Sequence, residues 1–209
     1  MNRERISISI KKDLLKKIDS LVDSITIRNR SHAIETLVSQ SLGLNNISDA
    51  VVMAGGDSAA SSVNAIKKSI VGLKSIGLSE VIVAVGYLGD KIKKTLGDGK
   101  ELGVQINYLE GAEGSGGALS LLKSALKKTF IVINVDDDYE IDYKALVDYH
   151  KNSRKIATIA TDDIKSLRGI YILESAVLPY VPEGFSMLEE DVFPKLLKEN
   201  KVSIYPILS

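Results

Sequence analysis

The chain has 209 residues, 44% of them hydrophobic and 26% charged, which describes one large or two small folded domains and excludes a disordered or fibrous chain. It contains no cysteine, so disulfides and thiolate metal sites are excluded and packing alone must hold it together. The net charge is zero, yet residues 1–44 carry eight Lys/Arg against five Asp/Glu and the remainder carries 19 against 22, so the head is the part suited to a polyanion.

Along the head, Arg5-Ile6-Ser7-Ile8-Ser9-Ile10 alternates with period two, predicting a short strand with three isoleucines inward and Arg5, Ser7 and Ser9 outward. From Lys12 the period becomes helical. Leu14, Leu15, Ile18, Leu21, Val22 and Ile25 predict an amphipathic helix of about four turns. After the polar turn Arg28-Asn29-Arg30, Ser31 is the expected N-cap of a second helix that carries Ala33, Ile34, Leu37, Val38 and Leu42 on one face and ends near Gly43. A lone strand with two short helices has no partner for its backbone groups and too small a core, so this module is expected to pair as a homodimer or a higher even oligomer.

Past Asn45-Asn46, buried-type strands alternate with amphipathic helices, the pattern of a mainly parallel α/β sheet. Ala50–Ala54 predicts a strand running into Gly55-Gly56, followed by a helix with Val63, Ile66, Ile70 and Leu73 on one face. Further strands are expected at 81–87, 104–109 and 130–135 and helices at 90–96 and 118–126; the last of these strands ends on Asp136-Asp137-Asp138. In a doubly wound layout of this kind, ligands gather at the carboxyl ends of the strands. The absence of a signal-length apolar run near the start, and of any apolar stretch of about 18 residues, leads us to expect a cytoplasmic chain without a membrane partner.

The head, with its basic Arg3 and Arg5, alternating strand and Arg-Ser helix start, resembles ribbon-helix-helix repressors and antitoxins. That resemblance implies two subunits pairing their strands into a ribbon that enters the major groove of double-stranded DNA. Arg5, Ser7 and Ser9 would then form the face toward the bases, with Arg3 also at the DNA, and Asn29, Arg30 and Ser31 would clamp phosphate at the second helix's N-terminus. The body carries AVVMAGG (50–56), GLSEVIVAVGYLGDKI (77–92), GSGGAL (114–119), FIVINVDDD (130–138), RGIYIL (168–173) and FSMLEEDVFPKLLKE (185–199). In that order these pieces resemble the sugar-phosphate nucleotidyltransferases. The resemblance implies that Ala54, Gly55 and Gly56 line the nucleotide, that Gly114, Ser115, Gly117 and Ala118 sit against base and ribose, and that Asp136 holds magnesium.

The two resemblances together imply a ribbon-helix-helix (β-α-α) dimerisation and DNA-binding module over residues 1–45, followed by a Rossmann-like, doubly wound nucleotidyltransferase-type α/β domain over 46–209. In the family the first glycine loop continues into an arginine and then a Pro-Lys-Pro lysine. Here it reads Gly55-Gly56-Asp57-Ser58-Ala59-Ala60-Ser61-Ser62, without either cation, although Lys67 and Lys68 follow on the helix. The family's closing metal-binding aspartate has no match either, unless Asp137, Asp138 or Asp163 replaces it. The resulting expectation is a DNA-binding transcriptional regulator whose inactive transferase domain takes a nucleotide or nucleotide-sugar effector, with no cofactor required beyond magnesium carried by a nucleotide. The alternative is an active sugar-phosphate nucleotidyltransferase that carries a DNA-binding module.

Overall fold

The computed structural model describes residues 6–22, 27–41, 47–55, 58–135 and 140–207. Arg3, Arg5, Ile25, Leu42, Asn45, Asn46, Gly56, Asp57 and Asp136–Asp138 therefore lie outside the described residues. The chain divides into two compact units, Met1–Leu44 and Asn45–Ser209.

In the first unit, helix α1 spans Lys12–Asp19 and helix α2 spans Arg30–Ser41. Helix α1 has about two turns rather than the four expected. It closes in a tight turn, with Leu21 N donating to Ile18 O at 3.1 Å and the Ser20 hydroxyl donating to Lys17 O at 2.7 Å, so a side chain competes with the next helical turn. The cap of α2 also differs from expectation, because Asn29 Oδ1 accepts from His32 N at 2.9 Å while Ser31 already lies inside the helix. Residues 6–10 form no strand within the single chain, and Ile6 and Ile8 stand 76% and 55% exposed.

The second unit is a seven-stranded mixed sheet sandwiched between helices. Its strands are β1 (Ile47–Ala54), β2 (Glu80–Val85), β3 (Gln105–Leu109), β4 (Thr129–Asn134), β5 (Ala157–Thr161), β6 (Ile170–Leu173) and β7 (Val202–Pro206), arranged in the order β3-β2-β1-β4-β6-β5-β7. All run the same way except β6, which is antiparallel to both neighbours. Helices α3 (Ala59–Ser75), α4 (Gly89–Leu96) and α6 (Tyr143–Ser153) cover one face; α5 (Gly114–Leu121) and α7 (Phe193–Lys198) cover the other.

Alternation along β4 explains its central place. Ile131 and Ile133 face Ile66, Ile70 and Leu146, whereas Phe130 and Val132 face Leu119, Phe193 and Leu196, so both sides of the strand are apolar and buried. The parallel strands place their carboxyl ends at one edge. That edge collects Gly55, Tyr87, Asn134, Asp162 and the residues just before β6.

Candidate functional site

The Gly55 loop is built by the first turn of α3. Ser58 is the N-cap, its side chain accepting from Ser61 N at 3.1 Å, and the buried Ser62 hydroxyl reaches back to the Gly55 carbonyl at 2.6 Å. Ser62 was not picked out from sequence, and a hydroxyl one turn inside a predicted helix was the available signal. The helix thus presents its positive end toward the loop, an arrangement that favours phosphate. Lys67 and Lys68 lie two turns further along; Lys68 faces Glu140 at 4.0 Å.

The second glycine segment is the start of helix α5 itself, not a loop before it. Gly116 N and Gly117 N donate to the Ser186 carbonyl at 2.8 and 3.3 Å, which satisfies two of the helix's leading amides. The glycines admit this contact physically: a Cβ on Gly114 would lie 2.3 Å from Ser186 O, and one on Gly116 would lie 2.4 Å from Ser186 Oγ. Ser115, Gly117 and Ala118 are buried beneath residues 184–189.

A polar cluster joins this segment to the end of β4. Glu189, on a single π-type turn at Leu188–Val192, accepts from the Tyr171 hydroxyl at 2.6 Å and from Asn134 Nδ2 at 3.1 Å on Oε1, and from the Ser115 hydroxyl at 2.9 Å on Oε2. Ser115 Oγ in turn accepts from Leu188 N at 2.9 Å. Sequence reasoning placed Asn134, Tyr171 and Glu189 within segments that resemble the family but gave none of them a role. The π turn is what swings Glu189 inward.

Asp163, a candidate substitute metal ligand, is held below the usual carboxylate range by the Lys165 backbone amide, which donates to its Oδ1 at 2.9 Å. Its carboxylate therefore caps its own turn. Among the described residues, no group of three or more His, Cys, Asp or Glu side chains gathers around a common point.

In the head, the Arg30 fork expected at phosphate closes on Asp19, with Nε to Oδ1 at 2.7 Å and Nη2 to Oδ2 at 2.8 Å. Hydrogen bonding to Arg30 lowers the Asp19 pKa and raises that of Arg30. Asn29 is engaged by its own helix, as described above, while Ser7, Ser9 and Ser31 are exposed. Among the described residues, no helix is long and apolar enough to cross a membrane.

No protein-family model matches the chain. A mannose-1-phosphate guanylyltransferase of Mycobacterium tuberculosis is 26% identical over 169 residues, covering 64% of this chain and 46% of that protein. The chain spans about half the length of the curated relatives it matches. Among solved structures, one described as a glucose-1-phosphate thymidylyltransferase from Bacillus anthracis, in complex with sucrose, superposes with a TM-score of 0.61 at 19% identity, covering 77% of this chain and 87% of that one. HddC from Yersinia pseudotuberculosis, complexed with GMP-PN, superposes with a TM-score of 0.56 at 18% identity over 77% of this chain and 91% of its own.

These relatives overturn the reading of the chain as a DNA-binding regulator with an inactive body. The curated relatives are named as sugar-phosphate nucleotidyltransferases and the likeness covers most of the chain, so the alternative reading is the better supported. The regulator reading gave too much weight to the short head and to two missing cations. Sequence likeness and the order β3-β2-β1-β4-β6-β5-β7 agree that the second unit has the fold of the sugar-phosphate nucleotidyltransferases.

Proposed function

We propose that the second unit is a sugar-phosphate nucleotidyltransferase: the phosphate oxygen of a sugar 1-phosphate attacks the α-phosphorus of a nucleoside triphosphate, and pyrophosphate leaves. The observation that carries this reading is the Gly55 carbonyl pinned by Ser62 at the positive end of α3, beside the carboxyl end of β4. Such a loop lets the nucleotide approach the backbone closely.

In this reading Ala54, Gly55 and Gly56 line the nucleotide, with Gly114 at the rim. The burial of Ser115, Gly117 and Ala118 supports assigning them to the wall that holds residues 184–189 in place. Asp136 would hold magnesium brought by the nucleotide, since a carboxylate suits a hard cation, and the ion would neutralise charge on the phosphate oxygens. A transferase whose loop lacks its arginine should be slow, because one missing charge-stabilising group costs ~10²–10³ in rate. The test is pyrophosphate release from GTP, UTP or dTTP with mannose or glucose 1-phosphate. Release that Asp136→Asn abolishes is the expected result, and no release from any pair would overturn the reading.

The head is proposed to pair two chains into a homodimer or a higher even oligomer. Exposed Ile6 and Ile8, on an alternating segment without a strand partner in the single chain, support this assignment.

A further inference from the structure

We infer that Arg168 binds the phosphate of the acceptor sugar phosphate and supplies there a cation that the Gly55 loop lacks. The inference rests on the transferase reading above, and it concerns the sheet edge on the far side of β4 from that loop.

Strand register places the residue. Ile170, the first residue of β6, pairs with Ile133 of β4 on one side and with Ala160 of β5 on the other. Since β6 runs antiparallel to β4, stepping back two residues from Ile170 brings Arg168 level with Val135, the residue before the three aspartates. The backbone there has little freedom. A Cβ on Gly169 would lie 1.9 Å from Ala160 O, and its φ of +149° suits glycine, so β6 begins in close contact with β5. On the other flank, Leu167 is buried, and its amide donates to Asp163 O at 3.1 Å.

Arg168 is therefore an exposed cation on an anchored backbone. Its amide donates to Ser166 Oγ at 3.4 Å, but among the described residues its guanidinium has no carboxylate partner and no hydrogen bond. Arg30, Lys93 and Lys68, by contrast, face carboxylates: Asp19, Glu110 and Glu140 respectively. A planar guanidinium without a carboxylate partner among the described residues can hold two oxygens of a tetrahedral phosphate monoester at once.

Strand order then separates the two substrates. In the sequence β1-β4-β6 the glycine loop follows β1, the aspartates follow β4 and Arg168 precedes β6. A triphosphate held at the β1 side leaves the β6 side for the acceptor. With Arg168 there, two anions can approach each other while the acceptor's charge is neutralised; an oxygen–phosphorus bond forms at the α-phosphorus as the bond to pyrophosphate breaks.

The experiment is calorimetric titration of the full chain and of Arg168→Ala and Arg168→Lys with mannose 1-phosphate, inorganic phosphate and GTP, each with magnesium. Arg168→Ala should weaken mannose 1-phosphate and inorganic phosphate tenfold or more and GTP by less than twofold, and Arg168→Lys should recover part of the loss. Thermal midpoints should be unchanged, since the side chain is exposed. Sugar phosphate affinity within twofold of wild type in Arg168→Ala, an equal fall for GTP, or a wild type that binds no phosphate monoester would each overturn the inference. A wild type that binds both ligands, with the predicted Arg168 dependence, yet releases no pyrophosphate would overturn the transferase reading and leave this inference standing.

Discussion

The Tyr171 hydroxyl donates to Glu189 Oε1 at 2.6 Å, tying β6 to the π turn at Leu188–Val192. Tyr171 is fully buried and its ring meets Phe193 edge-on at 4.8 Å, so Tyr171→Phe keeps the packing and removes only the hydroxyl. A hydrogen bond to a charged acceptor contributes about 1.5–3 kcal/mol, and that loss should appear in urea unfolding. Stability equal to wild type would show that the Asn134 and Ser115 donors suffice for Glu189.

A second polar cluster sits at the opposite edge of the sheet and predicts a pH dependence. His150 is buried, with Nδ1 2.7 Å from Thr158 Oγ1 and Nε2 3.2 Å from Glu174 Oε1, while Glu174 also accepts from the Thr129 hydroxyl at 3.0 Å. Burial lowers the His150 pKa; the partly exposed Glu174 opposes this and does not reverse it. The unfolded imidazole titrates near about 6.5. Below that pH the unfolded chain binds more protons than the native one, so the contribution is complete above it and declines as pH falls toward the native pKa. Urea unfolding at about pH 7.5 and about 5.5 should show a drop in wild type that His150→Gln reduces; equal slopes in the two proteins would rule out His150 as the source.

The parts of this fold that announced themselves were those with strong local pattern. Strands β1, β2 and β4 contain the unbroken apolar runs 50–54, 81–85 and 130–133, and α3 carries Val63, Ile66, Ile70 and Leu73 at helical spacing, so sheet and helix were readable from residue order alone. What was not readable depended on distant partners. Gly114, Gly116 and Gly117 looked like a ligand loop because sequence shows which side chains are missing, not what fills the space; Ser186 lies against Gly114 and Gly116, and the Gly184 carbonyl against Gly117, from about seventy residues away. Likewise Glu189 was one acid in an acidic run until the π turn and three donors singled it out. The short α1 and the Asn29 cap were missed for a smaller reason, since several serines and asparagines nearby could each have capped or interrupted a helix.

Two glycine substitutions should separate a tightly packed position from an open one. Gly116→Ala places a Cβ within 2.4 Å of Ser186 Oγ and 3.0 Å of Ser186 O, which forces residues 184–187 away from α5. Overpacking of this kind costs about 1–3 kcal/mol. Gly86→Ala meets nothing within 4 Å and should leave thermal unfolding unchanged. If the two variants melt alike, the close seating of residues 184–187 on α5 is wrong.

The head carries the last prediction. Ile8 is 55% exposed in the single chain, so Ile8→Lys adds a charge to solvent if the chain acts alone and buries that charge if residues 6–10 pair with those of a second copy. The two cases differ sharply. An unpaired lysine inside an apolar interface loses its hydration without gaining a partner, a cost of several kcal/mol, whereas an exposed substitution shifts stability by about 0.5 kcal/mol or less. Sedimentation should therefore show wild type as a dimer or higher even oligomer and Ile8→Lys as a monomer. The melting of the second unit should not change, because it forms its own core. Ser9→Lys, on the alternate face of the same segment, should leave the association intact, which guards against a general effect of added charge. A wild-type chain that sediments as a monomer at micromolar concentration, or an Ile8→Lys variant that still associates, would remove the case for pairing through the head.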